Sequence, residues 1–160
     1  MCDDLIVQTE FLWAFEAQRP AIRANWEHLL RIERINSPLA NPDTLVHMLD
    51  LTLNELFRNL RAWSPRRHHA RLNEPHCPCG RNPLLAYFAA GRQALREALV
   101  VAQSATTTLT ASERDEALAT LDQVFGQIAR REIESFCAIC QFRESAEHPA
   151  AEPVHHHAHG

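Results

Sequence analysis

Five cysteines carry the chemistry that this sequence offers: Cys2, then Cys77 and Cys79 as C-P-C, then Cys137 and Cys140 as C-A-I-C. Thiolates are the ligands that structural zinc prefers, and four of them at about 2.3 Å close a tetrahedral site. Cys77, Cys79, Cys137 and Cys140 are the expected ligand set. His76 adjoins Cys77 and is a substitute ligand, because three cysteines with one histidine also bind zinc. Other uses of the same residues stay open. Four thiolates also accept an iron–sulfur cluster. A thiol-based redox sensor would switch them between thiol and disulfide, and a thiol–disulfide exchange enzyme would use Cys140 or Cys79 as its nucleophile. The plain reading is that Cys137 and Cys140 are small buried residues packed beside Phe136. Cys77 and Cys79, in a polar segment, have no such explanation.

Neither pair means much unless the chain brings both to one place. Apolar residues make up 46% of the 160 and glycines number only 4. That composition supports one hydrophobic core but not the frequent turns of a β-sandwich. The expected fold is all-α, an up-and-down bundle of four to five helices with a Cys-rich metal-binding loop at one end. It fills residues 1–146, and an Ala/Pro/His-rich tail over 147–160 is expected to be disordered. Helical spacing marks 4–17 and 20–35, with Pro20 at a break or in a first turn. After the linker INSPLANP, Asn41-Pro42 reads as a cap followed by proline at the first helical position. The helix over 42–63 then buries Leu45, Leu49, Thr52, Leu53, Leu56, Phe57, Leu60 and Trp63.

The polar loop 64–82, with the C-P-C motif, is longer than a compact domain usually keeps without a function. Asn82-Pro83 repeats the cap and starts a helix over 83–103, with Leu84, Phe88, Gly91, Leu95, Leu99 and Ala102 inward. Gly91 on that stripe predicts a close helix approach. Thr110 and Glu113 form a capping box for a last helix over 111–144, with Leu118, Leu121, Phe125, Ile128, Ile133 and Phe136 facing the core.

A short connection makes the last two helices antiparallel neighbours, so the start of one and the end of the other share an end of the bundle. At about 1.5 Å per residue the 83–103 helix rises roughly 30 Å, which leaves Cys137 and Cys140 roughly 9–13 Å past Pro83. Four or five loop residues at up to about 3.3 Å each span that gap. Three residues apart on a helix, Cys137 and Cys140 would share a face. The thiol pairs can therefore meet, and an ion there would pin the loop with a contribution on the order of 10 kcal/mol. Four thiolates on one zinc leave no open position for catalysis.

Other features have bland readings. Glu132 falls near the centre of the last helix's inner stripe and is expected to pair with a core-edge arginine such as Arg92 or Arg96, or else to lie where the stripe widens. The Arg66–His69 cluster, with Arg71 and Arg81, reads as solvated loop charge, and the histidines at 155–157 and 159 as tail. No metalloprotease, P-loop, dinucleotide or nucleophile-elbow motif occurs, so the chain is read as a non-enzyme, with that question left open. Sixteen basic residues, all arginine and scattered, face twenty acidic ones, for a net charge of −4. This argues against a dedicated nucleic-acid partner. The acidic amino terminus and the lack of a long apolar run give a cytoplasmic expectation. A protein partner is expected, with a homodimer left open.

The stretch NPDTLVHMLDLTLNELFRNL over 41–60, with the tryptophan-bearing helices before it, resembles the all-helical amino-terminal sensing domain of bacterial stress sigma-factor co-antagonists and related sensor kinases. The resemblance implies a regulatory, ligand- or redox-responsive bundle that signals through partners.

Overall fold

Two asparagines set the helix register in the way their sequence context predicts. In a computed structural model, which describes residues 10–32, 41–63, 77–106 and 109–140, Asn41 and Asn82 adopt nearly the same extended backbone, φ −66° with ψ 117° and 118°. The side-chain oxygen of each accepts an amide two residues on, Asp43 N at 3.0 Å and Leu84 N at 2.9 Å. Each cap thus satisfies one of the donors that a helix start leaves unpaired. Among the described residues all regular structure is helical.

The helices are α1 over 10–16, α2 Arg19–Ile32, α3 Pro42–Leu45, α4 Leu49–Arg61, α5 Pro83–Ala105 and α6 Ala111–Ile139. A turn at 17–18 separates α1 from α2, which leaves Pro20 in a first helical turn, where its missing N–H costs nothing. The expected single helix over 42–63 is instead overwound at Val46–Met48 into a 3₁₀ turn. There the Thr52 hydroxyl bonds the Met48 carbonyl at 3.1 Å, a back-bond of the kind that perturbs regular helix geometry. Thr110 and Glu113 do form the capping box. The carboxylate accepts the Thr110 N–H and hydroxyl, and these bonds hold its pKa below the ordinary glutamate value.

Helix α5 and helix α6 are antiparallel, as the short connection implied. Asn82 reaches Ile133, Arg96 pairs with Asp122, and Gln103 Nε2 donates to the Arg114 carbonyl at 2.9 Å. On the other side, Glu16–Arg61, Arg19–Asp50 and Arg31–Asp43 set α1 and α2 antiparallel to α3 and α4. These exposed pairs fix direction more than they add stability.

Buried side chains from every helix join in one core, centred on Trp26, Tyr87, Phe88 and Phe125. The Trp26 ring lies 4.7 Å from Tyr87 and 5.7 Å from Phe125 between centroids, and its Nε1 donates to the Tyr87 carbonyl at 2.9 Å. Gly91 makes room for it. A Cβ at that position would fall 2.3 Å from Trp26 Cζ2 and 2.8 Å from Phe125 Cζ.

Two expectations about the core are corrected. Leu118 is 37% exposed, and the buried stripe of α6 begins at Leu121 instead. Glu132 pairs with neither Arg92 nor Arg96. It is half-buried and bonds Arg131 at 2.8 Å, while Arg131 also reaches Glu55 on α4 and Arg96 is held by Asp122. The carboxylate at the edge of the stripe thus turns outward to the adjacent arginine. Helices α2 and α5 run to Ile32 and Ala105, near their expected ends. Segments 4–9, 33–35, 64–76 and the tail over 147–160 lie outside the described residues, as do Cys2 and His76.

Tyr87 takes part in a buried hydroxyl pair in the core: its oxygen lies 2.8 Å from Thr52 Oγ1. Since Thr52 donates to Met48, Tyr87 is the donor in that pair. Tyr87→Phe should therefore cost about 1 kcal/mol at neutral pH, read as a shift in urea midpoint. Burial, opposed by the Thr52 bond, raises the phenol's pKa well above its ordinary value of 10.0. A raised pKa contributes stability below the unfolded value and loses it as pH climbs toward the folded one. The advantage of tyrosine over phenylalanine should accordingly shrink above about pH 10.

Candidate functional site

The C-P-C-G stretch folds into a tight turn at the start of α5. The Gly80 N–H donates to the Cys77 carbonyl at 3.1 Å, and Gly80 has φ 64°, a left-handed conformation that glycine takes without a Cβ clash. The turn leads directly into the Asn82 cap, so Cys77 and Cys79 lie at the positive end of the α5 dipole. Cys77 is buried and Cys79 half-buried, and their sulfurs are 3.5 Å apart. Two ligands of a tetrahedral ion with bonds of about 2.3 Å would stand about 3.8 Å from each other.

The second pair arrives from α6. Cys137 lies in its last turn. The helix ends at Ile139 rather than near 144. Cys140 is the cap residue, in extended conformation at φ −75° and ψ 121°, with its N–H on the Cys137 carbonyl at 3.3 Å. Asn82 joins the two halves. Only 4% exposed, it donates through Nδ2 to the Ile133 carbonyl at 3.1 Å and to Cys137 Sγ at 3.3 Å.

All four cysteines are free thiols, and they influence one another electrostatically. Burial pushes the Cys77 thiol up, but the Asn82 N–H, the thiols of Cys137 and Cys79, and the Gly80 N–H outweigh it and lower its pKa. Cys137 is raised, by burial first and then by the thiol and charge of Cys77, against the Asn82 bond. The Arg81 N–H favours the thiolate of Cys79. Burial, the Cys77 thiol and the charges on Cys77 and Cys140 outweigh it and push that pKa up. Of Cys77, Cys79 and Cys137, it is Cys77 that ionises most readily, and its charge discourages the other two from ionising.

Among the described residues, no three histidine, cysteine, aspartate or glutamate side chains already stand in a metal-holding arrangement. The turn supplies one close thiol pair, and α6 brings Cys137 and Cys140 to the same end of the bundle. No family model, curated protein or solved structure matches the chain. Its function therefore has to be argued from its own residues.

Sequence reasoning placed these four cysteines at one end and missed two features. Cys77, rather than Cys79, is the thiol whose acidity is raised. The two amide N–H groups and two thiols that converge on it depend on the turn and on α6. Asn82 has a role besides its cap, which its twin Asn41 does not show among the described residues. Nothing in the Asn-Pro dipeptide distinguishes the two. No described helix is long and apolar enough to cross a membrane.

Proposed function

We propose that Cys77, Cys79, Cys137 and Cys140 hold one zinc ion, which ties the C-P-C turn to the end of α6. On this reading the chain is a small cytoplasmic helical bundle acting as a regulatory or binding module. The observation that carries the proposal is geometric: the Cys77 and Cys79 sulfurs stand 3.5 Å apart at the start of α5, and Asn82 ties Cys137 of α6 to the same end of the bundle. A divalent cation suits thiols gathered in this way, since ligating thiols must deprotonate and the ion's charge stabilises every thiolate at once. The 3.5 Å separation of the first two sulfurs already approximates a tetrahedral edge. Closing the site requires Cys137 and Cys140 to swing toward that edge. Cys140, with extended backbone beyond the helix end, is the ligand with freedom to do so.

Four thiolates fill the tetrahedron, so the zinc would hold structure rather than activate water. The resemblance of residues 41–60 to a sensing domain accords with a regulatory role. Elemental analysis of protein purified without a tag tests the reading, because a tag would add ligands of its own. We expect about one zinc per chain and a colourless protein. Brown protein with visible absorbance would replace zinc by an iron–sulfur cluster, and metal-free protein that regains none on incubation with zinc would end the proposal.

A further inference from the structure

We infer that Asn82 is a positioning residue for the thiolate site, fixing Cys137 through an N–H to sulfur hydrogen bond; the inference rests on the zinc reading above. Its comparison is Asn41. The two asparagines precede proline, have the same backbone angles and cap a helix through Oδ1. Capping needs nothing more, and Asn41 does it exposed to solvent. Asn82 is instead buried to 4% exposure, a setting in which both amide protons must find acceptors.

The cap fixes which way the amide faces. Because Oδ1 accepts the Leu84 N–H, Nδ2 points away from α5 and toward α6, where it meets the Ile133 carbonyl and Cys137 Sγ. One planar group therefore sets the start of α5, its distance from α6 and the direction of one ligand. A serine or aspartate at position 82 would supply the cap oxygen but no N–H for the sulfur. Aspartate would also turn a carboxylate toward a thiolate.

The test loads the wild type and the Asn82→Ser, Asn82→Asp and Asn41→Ser variants with cobalt(II), then displaces it with zinc. It reads zinc affinity, the thiolate-to-cobalt charge-transfer band and helix content. Outer-shell partners of metal ligands are typically worth about 10- to 100-fold in affinity. Both Asn82 variants should lose that much and shift the band, aspartate more than serine, while Asn41→Ser matches the wild type in both. A residue that only capped its helix could not move the band. Wild-type affinity and an unshifted band in both Asn82 variants, with the wild type binding metal normally, would overturn this inference and leave the zinc site standing. A wild type that takes up neither metal would overturn both.

Discussion

Cys77→Ser should abolish stoichiometric zinc and lower affinity on the order of 100-fold or more, the largest loss among the four ligand substitutions. The expectation comes from what surrounds the sulfur. Cys77 is the buried member of the close pair, the thiol whose pKa is lowered, and the one that faces both Cys79 and Cys137. A structural zinc in a small site is worth on the order of 10 kcal/mol in apparent free energy. An even share for one ligand in four is about 2.5 kcal/mol, which corresponds to a loss on the order of 100-fold. Serine is nearly the same size, so packing changes little and the loss belongs to the sulfur. Cys140→Ser should also lose metal, whereas Cys2→Ser should retain it. Zinc content and competition with a chromophoric chelator measure all three. A Cys2 variant that loses zinc like the others would show that the ligand set is wrongly chosen. Chelation of the wild type should lower its melting temperature, because an ion bound only to the folded state stabilises by mass action.

Gly91→Ala is expected to destabilise the bundle by about 1–3 kcal/mol, although alanine is the better helix former. Propensity favours the change by roughly 1 kcal/mol. Against it, the new methyl would fall 2.3 and 2.5 Å from Trp26 Cζ2 and Cε2, and 2.8 Å from Phe125 Cζ. Neither ring is a flexible side-chain end. Trp26 has no exposed surface, stacks on Tyr87 and is held by its indole N–H on the Tyr87 carbonyl, four residues before Gly91. To clear the methyl the ring must move by close to an ångström. That strains the core by about 1–3 kcal/mol and weakens a buried hydrogen bond worth about 1 kcal/mol. Urea titration reads the total. Pairing Gly91→Ala with Trp26→Phe should cost clearly less than the sum of the single changes, since the clash lies in the part of the indole that phenylalanine lacks. Additive losses would mean that the ring is not the obstacle.

Much of this architecture was legible because single residues announce it. Asn41-Pro42, Asn82-Pro83 and the Thr110/Glu113 box each mark a helix start through local chemistry, and all three occur where the sequence puts them. The inward position of Gly91 followed from periodicity, and the antiparallel hairpin from a short connection. The gathering of Cys77, Cys79 and Cys137 at one end follows from those two facts together. What stayed hidden depends on relations between elements. No glycine or proline follows Ile139 closely, so nothing local announced the end of α6, and Cys140 was assigned to a helical turn that it has left. Glu132 had several arginines within plausible reach, and only the rotation of α6 against α4 brings Arg131 between Glu132 and Glu55.

The hairpin of α5 and α6 is clasped three times along its length, by Asn82 on Ile133, by Arg96 on Asp122 and by Gln103 on Arg114. Two of those clasps owe nothing to sulfur. An emptied thiol end would therefore fray from the tip only, as a zipper opens to its first engaged tooth. Amide hydrogens near residues 77–82 and 133–140 would exchange quickly with solvent while those beyond Asp122 kept their protection. The damage from losing the ion would stay regional, and the aromatic centre of the bundle would survive it.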